Sequence, residues 1–457
     1  MAVPRSTRFV VLGGGVHGLS TAYHLALALE EKGEGSGQDV VVLEKNQIGA
    51  GASGIACGVV RNFYFSPAMA EVIRVSVELF ESDPAGFGYH PVGYIAAVPE
   101  PQAEDCIAIQ RRQAEIGYRS DVVLGEERCR EHMRAIFSDW NGDGIQAVLH
   151  EHQGGWAETG TTVQNLARLA RAKGVQIHEG VEVTGIDLHE GEVDSVETSA
   201  GSIAVEMLVA GPGPWAGHLW RMLELSPEVR VAGKDAPTSP IGASRRVEAG
   251  HDGVEVKPIV TYWKLQEGDY WLDDGVDLRD ANGAEPPVVH LDHQVPLRSD
   301  RSGEVLSDGP WGIYYKVGRR GFGVQGGGVP IPLGTEVELE PYGQRPDQVV
   351  GDEFTDYFTA GLAWAHARFR GRSKEWRAEP HGGIGAFTPD NYPIVDFVRP
   401  NAYVVMDSNH GFKMIGMGKL VANDIVGGGE SRLDPFRLSR YETGMLHAVS
   451  HSPYPWN

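Results

Sequence analysis

Phe9-Val10-Val11-Leu12 is an uninterrupted apolar run, the pattern of a parallel strand buried on both faces. It leads into Gly13-Gly14-Gly15-Val16-His17-Gly18. Beyond that turn Leu19, Ala22, Tyr23, Ala26, Leu27 and Leu29 recur at helical spacing, until Gly33-Glu34-Gly35-Ser36-Gly37 breaks the pattern. Val40-Val41-Val42-Leu43 repeats the all-apolar signature and ends at Glu44. The order predicts a strand, a helix and a second, parallel strand.

Further along, Met69, Val72, Ile73, Val75, Leu79 and Phe80 predict a helix between residues 66 and 84, and Gln110–Ile116 reads as another. Trp156–Lys173 carries a stripe of Val163, Leu166, Leu169 and Ala170, with Thr159 or Thr161 as its cap. Tyr94–Val98, Val175–His178 and Val181–Ile186 are strand-like. Met207–Ala210 ends in Gly211-Pro212-Gly213-Pro214-Trp215, a strand-to-glycine signal like the first, so the opening unit is expected to resume after an insertion. Residues 221–374 are rich in Pro, Gly, Asp and aromatic residues, and their runs Pro258–Trp263, Gly312–Val317 and Phe322–Val324 predict an antiparallel sheet. The segment Gly382–Ile394 precedes a strand at Ala402–Met406. Ser408–Lys419 then forms a second glycine-rich loop, feeding a helix on Leu420, Val421, Ile425 and Val426 whose N-terminus would face a carbonyl edge of a cofactor that becomes anionic on reduction.

Composition narrows the field. The 457 residues are 41% hydrophobic and 22% charged, enough for a sizeable core in two or three units at roughly 150 residues each. A net charge of −22 would repel nucleic acid and anionic lipid, so neither nucleic acid nor a membrane is an expected partner, and any anionic ligand needs local cations. Cys57, Cys106 and Cys129 lack CxxC spacing, which argues against a disulfide framework or a zinc cluster; no metal is expected. Met1-Ala2-Val3-Pro4-Arg5 has no apolar leader, and no window approaches about 18 apolar residues. A cytoplasmic location is the expectation.

The glycines at 13, 15 and 18 match G-x-G-x-x-G in the context that gives the pattern force, after a strand and at the opening of a helix. Gly13 permits the tight turn, Gly15 lets backbone approach a pyrophosphate, and Gly18 lets helix and strand pack closely. Val16 and His17 present N–H groups at the positive end of the helix dipole. Glu44, followed by Lys45, is placed to accept from ribose hydroxyls; its extra distance from Gly13 is the Gly/Ser-rich insert at 33–37. The small-residue run Ile48-Gly49-Ala50-Gly51-Ala52-Ser53-Gly54 suggests a second pass of backbone along a long, enclosed dinucleotide.

Four blocks, Val11–His24, Ile48–Phe65, Gly382–Ile394 and His410–Gly429, resemble the amine-oxidising flavoproteins of the D-amino-acid oxidase group, with the strongest likeness to the beta chain of heterotetrameric sarcosine oxidase and dimethylglycine dehydrogenase-like proteins. The resemblance implies an α/β fold, α+β overall: a Rossmann-like FAD-binding domain with an inserted antiparallel-sheet substrate domain. Residues 1–85, 150–220 and 375–457 would form the discontinuous FAD-binding domain, and 86–149 with 221–374 the substrate domain. It further implies oxidation of a secondary or tertiary amine, often an N-methylated amino acid. Gly13, Gly15, Gly18 and Glu44 would bind the adenosine and pyrophosphate end, Ala52, Ser53 and Gly54 would line the flavin, Val183 would meet the adenine through its backbone, and Gly211 would close the second strand-end turn. Gly411, Phe412 and Lys413 would border flavin and substrate carboxylate, with Arg61 as a second carboxylate contact and His410 shaping the site.

The chain also departs from its models. Gly155-Trp156-Ala157 stands where the beta chain carries a flavin-linking histidine, and Gly383 where monomeric enzymes have a flavin-linking cysteine, so noncovalent FAD is expected. No oxygen-activating lysine is evident in Gly321–Gln325. Arg61 suits a two-pronged carboxylate contact and Lys413 a point charge. The aromatic set Tyr262, Trp263, Tyr270 and Trp271 fits an amine pocket or, more commonly, sheet core. His290-Leu291-Asp292-His293 has two histidines on one strand but too few neighbouring ligands for a metal. Oxidation of a 2-hydroxy acid, or a flavin subunit working only with a partner chain, remain open, as does a homo-oligomer.

Overall fold

The computed structural model describes residues 3–232 and 254–453; residues 1–2, 233–253 and 454–457, which fall within the spans expected above, lie outside the described residues. Strand β1 (Ser6–Leu12), helix α1 (Val16–Lys32) and strand β2 (Val40–Glu44) follow the predicted order. The two strands are parallel, Phe9 to Leu12 opposite Val40 to Leu43, and these eight side chains are buried because helices or further strands cover both faces. Gly33 ends α1 in the left-handed region, where its missing Cβ removes the strain.

The sheet grows by sequence-distant strands. Gly201–Ala210 pairs parallel with β1, Gln176–Glu179 with β2, and Ala402–Met406 with Gly201–Ala210. The chain's last strand thus lies two places from its first. The following helix Met417–Gly427 crosses α1 at backbone contact: a Cβ on Gly418 would stand 2.4 Å from the Ser20 carbonyl carbon, and Ser20 Oγ donates to the Ile415 carbonyl at 2.5 Å. Both ends of the chain are locked into one core.

A second, nine-stranded sheet draws on 94–151 and 261–387. Its pairings are antiparallel except where Val288–His293 meets Tyr94–Val98, which is parallel because these strands come from different insertions and no hairpin joins them. Arg377–Phe387, expected with the FAD-binding segment, pairs along its whole length with Thr261–Trp271 of this second sheet. Its three glycines hid the strand pattern. The helix expected from Trp156 begins instead at Thr159 and runs to Ala172. Gly155–Ala157 is a strand, held by Gly155 at φ +137, where a Cβ would meet the His90 carbonyl at 2.1 Å. Neither Thr159 nor Thr161 caps the helix; Thr161 Oγ1 donates to Glu158 at 2.8 Å.

Candidate functional site

At the C-terminal ends of β1 and Gly201–Ala210 two glycine turns interlock. The Gly13 amide donates to the Leu43 carbonyl and that of Gly211 to the Leu12 carbonyl, each at 2.9 Å. Gly13 has φ +101, and a Cβ there would stand 2.5 Å from the Gly211 oxygen. Gly15 is extended, its open side 3.0 Å from Ser53 Oγ, which accepts from the Val16 amide at 3.1 Å. Glu44 is fixed at both oxygens, by the Gly14 amide and the Asn46 amide, each at 2.8 Å. Gly49 donates to the Gly14 carbonyl at 3.0 Å, so the small-residue run does lie beside the first turn.

The C-terminal loop approaches the same turn. Asp407 accepts from the Gly411 amide at 2.9 Å and pairs with His17 Nε2 at 3.2 Å, while its carbonyl holds His410 Nδ1 at 2.7 Å. Ser408 and Asn409 have positive φ, which throws Gly411–Met414 into a 3-10 turn. That turn carries Gly411, Phe412 and Lys413 into the cavity. The helix expected to point at the ligand starts only at Met417, behind the turn, and does not line the cavity.

The cavity encloses an empty volume of about 2400 Å³ including its mouth. Gly13, Gly15, Val16, His17, Glu44, Lys45, Ala52, Ser53, Arg61, Val183, Gly211, His410, Gly411, Phe412 and Lys413 all line it. Gly18 and Gly54 do not: their Cβ positions would meet the carbonyls of Gly13 at 1.9 Å and Gly49 at 2.1 Å, so each serves backbone packing. Lys45 and Trp215 close one end, the ammonium 4.2 Å from the indole ring, with Glu340 bonding both side chains.

At the other end Arg61, only 4% exposed, donates to the Phe63 carbonyl and lies 4.6 Å from the Tyr64 ring and 5.6 Å from that of Tyr94. Lys413 shares this space. Burial, and then the Arg61 charge, push its ammonium down to about 7. His410 is pushed to about 3 by burial and by Lys413, so its ring is neutral. Two cations facing one cavity, Arg61 buried and Lys413 half-buried, favour an anionic ligand.

Several lining residues escaped the sequence reading. Asp407 had a signal, a lone acid in a glycine-rich loop. Glu267 and Tyr314 had none, because their convergence depends on the register of Thr261–Trp271 and Trp311–Val317 against Val324–Gly328. Tyr64, Tyr94, Trp215, Tyr314, Phe387 and Phe412 supply the aromatic lining, whereas Tyr262, Trp263, Tyr270 and Trp271 do not reach the cavity. His290 lines it and lies 3.0 Å from Asp292, while His293 bonds the Asp143 carbonyl, so the two histidines diverge. Lys316 opposes Gln325 across neighbouring strands, buried behind the cavity wall with its ammonium 3.6 Å from the Trp156 ring. Burial lowers it to about 8. Gly383 has no room for a side chain: a Cβ would lie 2.6 Å from both Ile55 and the Tyr342 hydroxyl. Among the described residues no helix is long and apolar enough to cross a membrane.

Comparison with known proteins agrees with this geometry. A family model described as FAD dependent oxidoreductase, DAO, matches residues 8–254. Over 288 residues the chain is 26% identical to mitochondrial dimethylglycine dehydrogenase of Rattus norvegicus, covering 58% of this chain and 32% of that protein. Over 203 residues it is 31% identical to sarcosine oxidase subunit beta of Rhizobium meliloti (strain 1021), covering 44% and 47%. The chain thus spans a third to a half of the length of these relatives. The crystal structure of L-proline dehydrogenase from P. horikoshii superposes with a TM-score of 0.70 at 20% identity, covering 97% of this chain and all of that one. Glycine oxidase from Bacillus cereus gives 0.61 at 18% identity, covering 95% and 99%. With its interlocked glycine turns and a family match over more than half its length, this chain belongs to the DAO family of FAD dependent oxidoreductases and is an enzyme.

Proposed function

We propose that the chain oxidises the amine of an N-alkylated amino acid, with noncovalent FAD bound along the cavity. The observation that carries the reading is the convergence of Arg61 and Lys413, remote in sequence, on one cavity continuous with the glycine turns. The residues fit FAD: Gly13 and Gly15 bring bare backbone to the cavity wall, no side chain of α1's N-cap bonds its first turn, and Glu44 is oriented by backbone N–H groups. In this reading Gly13, Gly15, Val16, His17 and Gly211 hold the pyrophosphate, Glu44 the ribose, and Lys45 and Val183 the adenine end. Ala52, Ser53, Gly411 and Phe412 take the flavin. The eight-stranded sheet carries the cofactor, and the nine-stranded one walls the substrate.

Bound FAD supplies an acceptor for a hydride, so the protein needs no nucleophile. Arg61 holds the substrate carboxylate through its fork, and Lys413, kept on the edge of neutrality without an anion, becomes fully charged when that carboxylate arrives. His410, neutral and bonded to the Asp407 carbonyl, keeps the Gly411–Lys413 turn in place. Tyr64, Tyr94 and Phe412 exclude water, which strengthens both charge contacts. Oxidation leaves an iminium carbon that water hydrolyses after release.

Anaerobic titration with N-methyl amino acids and with 2-hydroxy acids tests the reading. Bleaching of the flavin absorbance by the former alone is expected; bleaching by hydroxy acids alone would overturn it. A partner chain is the second proposal, favoured by the relative named as a subunit. Flavin reduction by the isolated chain would argue against a need for that partner.

A further inference from the structure

Glu44, Glu182, Glu267 and Asp407 all line this cavity, and Glu267, on the nine-stranded sheet within reach of the Lys413 charge, has no task in the reading above. It projects from Thr261–Trp271 on the same face as Leu265, with its side chain only 13% exposed. Tyr314 donates its hydroxyl to Glu267 Oε1. The tyrosine reaches across because Gly327 lies beneath it: a Cβ there would stand 2.5 Å from the Tyr314 hydroxyl. The other groups facing Glu267 are the Cys57 thiol from the small-residue loop, His381 with its Nδ1 at 3.8 Å, the Tyr342 hydroxyl and Lys413. Cys57 and both tyrosines are held neutral by burial, each pushed above its ordinary value. Among the described residues no arginine or lysine is hydrogen-bonded to Glu267, and Lys413 belongs to the carboxylate end.

We propose that Glu267 receives the positive charge and then the proton of the substrate's ammonium group, while Arg61 and Lys413 take the carboxylate. The inference rests on the amine reading and extends it. An amino acid arrives as a zwitterion, and its ammonium nitrogen has no lone pair with which to form a carbon–nitrogen double bond. The N–H bond breaks, its proton passes to a Glu267 oxygen, and its electron pair stays on nitrogen. The α-C–H bond then breaks with its pair leaving as hydride, the oxidation that the family's FAD accepts. Tyr314, by donating to one oxygen, fixes the orientation of the carboxylate. A 2-hydroxy acid offers no cation here, so Glu267 selects for amines.

Binding to the oxidised, FAD-loaded protein tests this without turnover. Calorimetry with trimethylammonioacetate, a fixed cation, and methylthioacetate, a smaller carboxylate with a neutral thioether in its place, reads the group remote from the carboxylate. Glu267→Gln is expected to weaken the cation about 10- to 100-fold and the thioether less than about twofold, with Glu267→Asp intermediate. An unchanged ratio of the two affinities in both variants, each with normal flavin content, overturns the proposal alone. Wild-type protein that binds neither compound overturns the amino-acid reading and this proposal with it.

Discussion

His17 in the first turn of α1 and Asp407 in the loop before helix Met417–Gly427 stand 3.2 Å apart, Nε2 to Oδ2, joining residues 390 positions apart in the chain. The pair sits on the cavity wall where both glycine turns meet. Burial alone would raise the Asp407 carboxyl, but the His17 bond and charge and the Gly411 amide outweigh it, from an ordinary 3.8 to about 2.

Asp407 therefore stabilises the fold above about pH 4, and that contribution is lost as pH falls through about 2. Asp407→Asn should remove this acid limb from a plot of unfolding midpoint against pH. Because the Gly411 turn loosens with it, FAD should bind roughly tenfold more weakly, read by fluorescence recovery of released flavin. Equal acid limbs in both proteins would deny the pair this role.

Gly18→Ala tests the backbone packing of the first turn. Its Cβ would fall 1.9 Å from the Gly13 carbonyl oxygen, and no side-chain rotation relieves a clash between backbones. Urea unfolding of the apoprotein should show a loss of about 3 kcal/mol or more, together with loss of bound flavin. Gly117→Ala, at φ +74 with open space around it, should cost only about 1 kcal/mol and retain flavin.

The first turn was legible because everything that makes it is local: apolar runs, glycine positions and one acid lie within 44 residues. The meeting of Lys413 with Arg61 was legible only through resemblance, since no periodicity brings distant segments together. Glu267 and Tyr314 were not legible. One faces the cavity because its strand is seated against Arg377–Phe387, and the other because Gly327 gives its ring a bed. A glycine-rich stretch such as Gly382-Gly383-Ile384-Gly385 reads as loop, yet each residue there pairs with Thr261–Trp271, the glycines being required where tyrosine, isoleucine and backbone press against the strand.

Lys413 should make carboxylate binding pH-dependent. Its folded value of about 7 lies below its ordinary 10.5, so the unfolded chain binds more protons between those limits and the ligand-free protein gains stability as pH rises from about 7. Affinity for a carboxylate ligand should fall over the same rise, since the ligand requires the charged form. Lys413→Met should abolish both trends and weaken methylthioacetate roughly 10- to 100-fold. A pH-independent wild-type affinity between 6 and 9, measured by calorimetry at about those values, would refute the assignment.

Glu151 supports the Arg61 end from behind. Wholly buried, it accepts from the Asn62 amide at 2.9 Å, Gln113 Nε2 at 2.7 Å and the Tyr118 hydroxyl at 3.1 Å. Burial nonetheless raises it to about 7, the donors and the Arg61 charge only partly offsetting the loss of water. The sign is opposite to that of Asp407: stability from this group is fully present below about pH 4.5 and is lost as pH rises through about 7. Glu151→Gln should flatten that decline while keeping an acceptor, so the variant gains on the wild type above pH 7. Glu151→Leu leaves three donors unpaired in the core and should cost about 3 kcal/mol or more. Because the Asn62 amide adjoins Arg61, the leucine variant should also weaken carboxylate binding, whereas the glutamine variant should hold it within about threefold. Equal losses in both variants would mean that the charge of Glu151, rather than its acceptor oxygens, holds Arg61 in position.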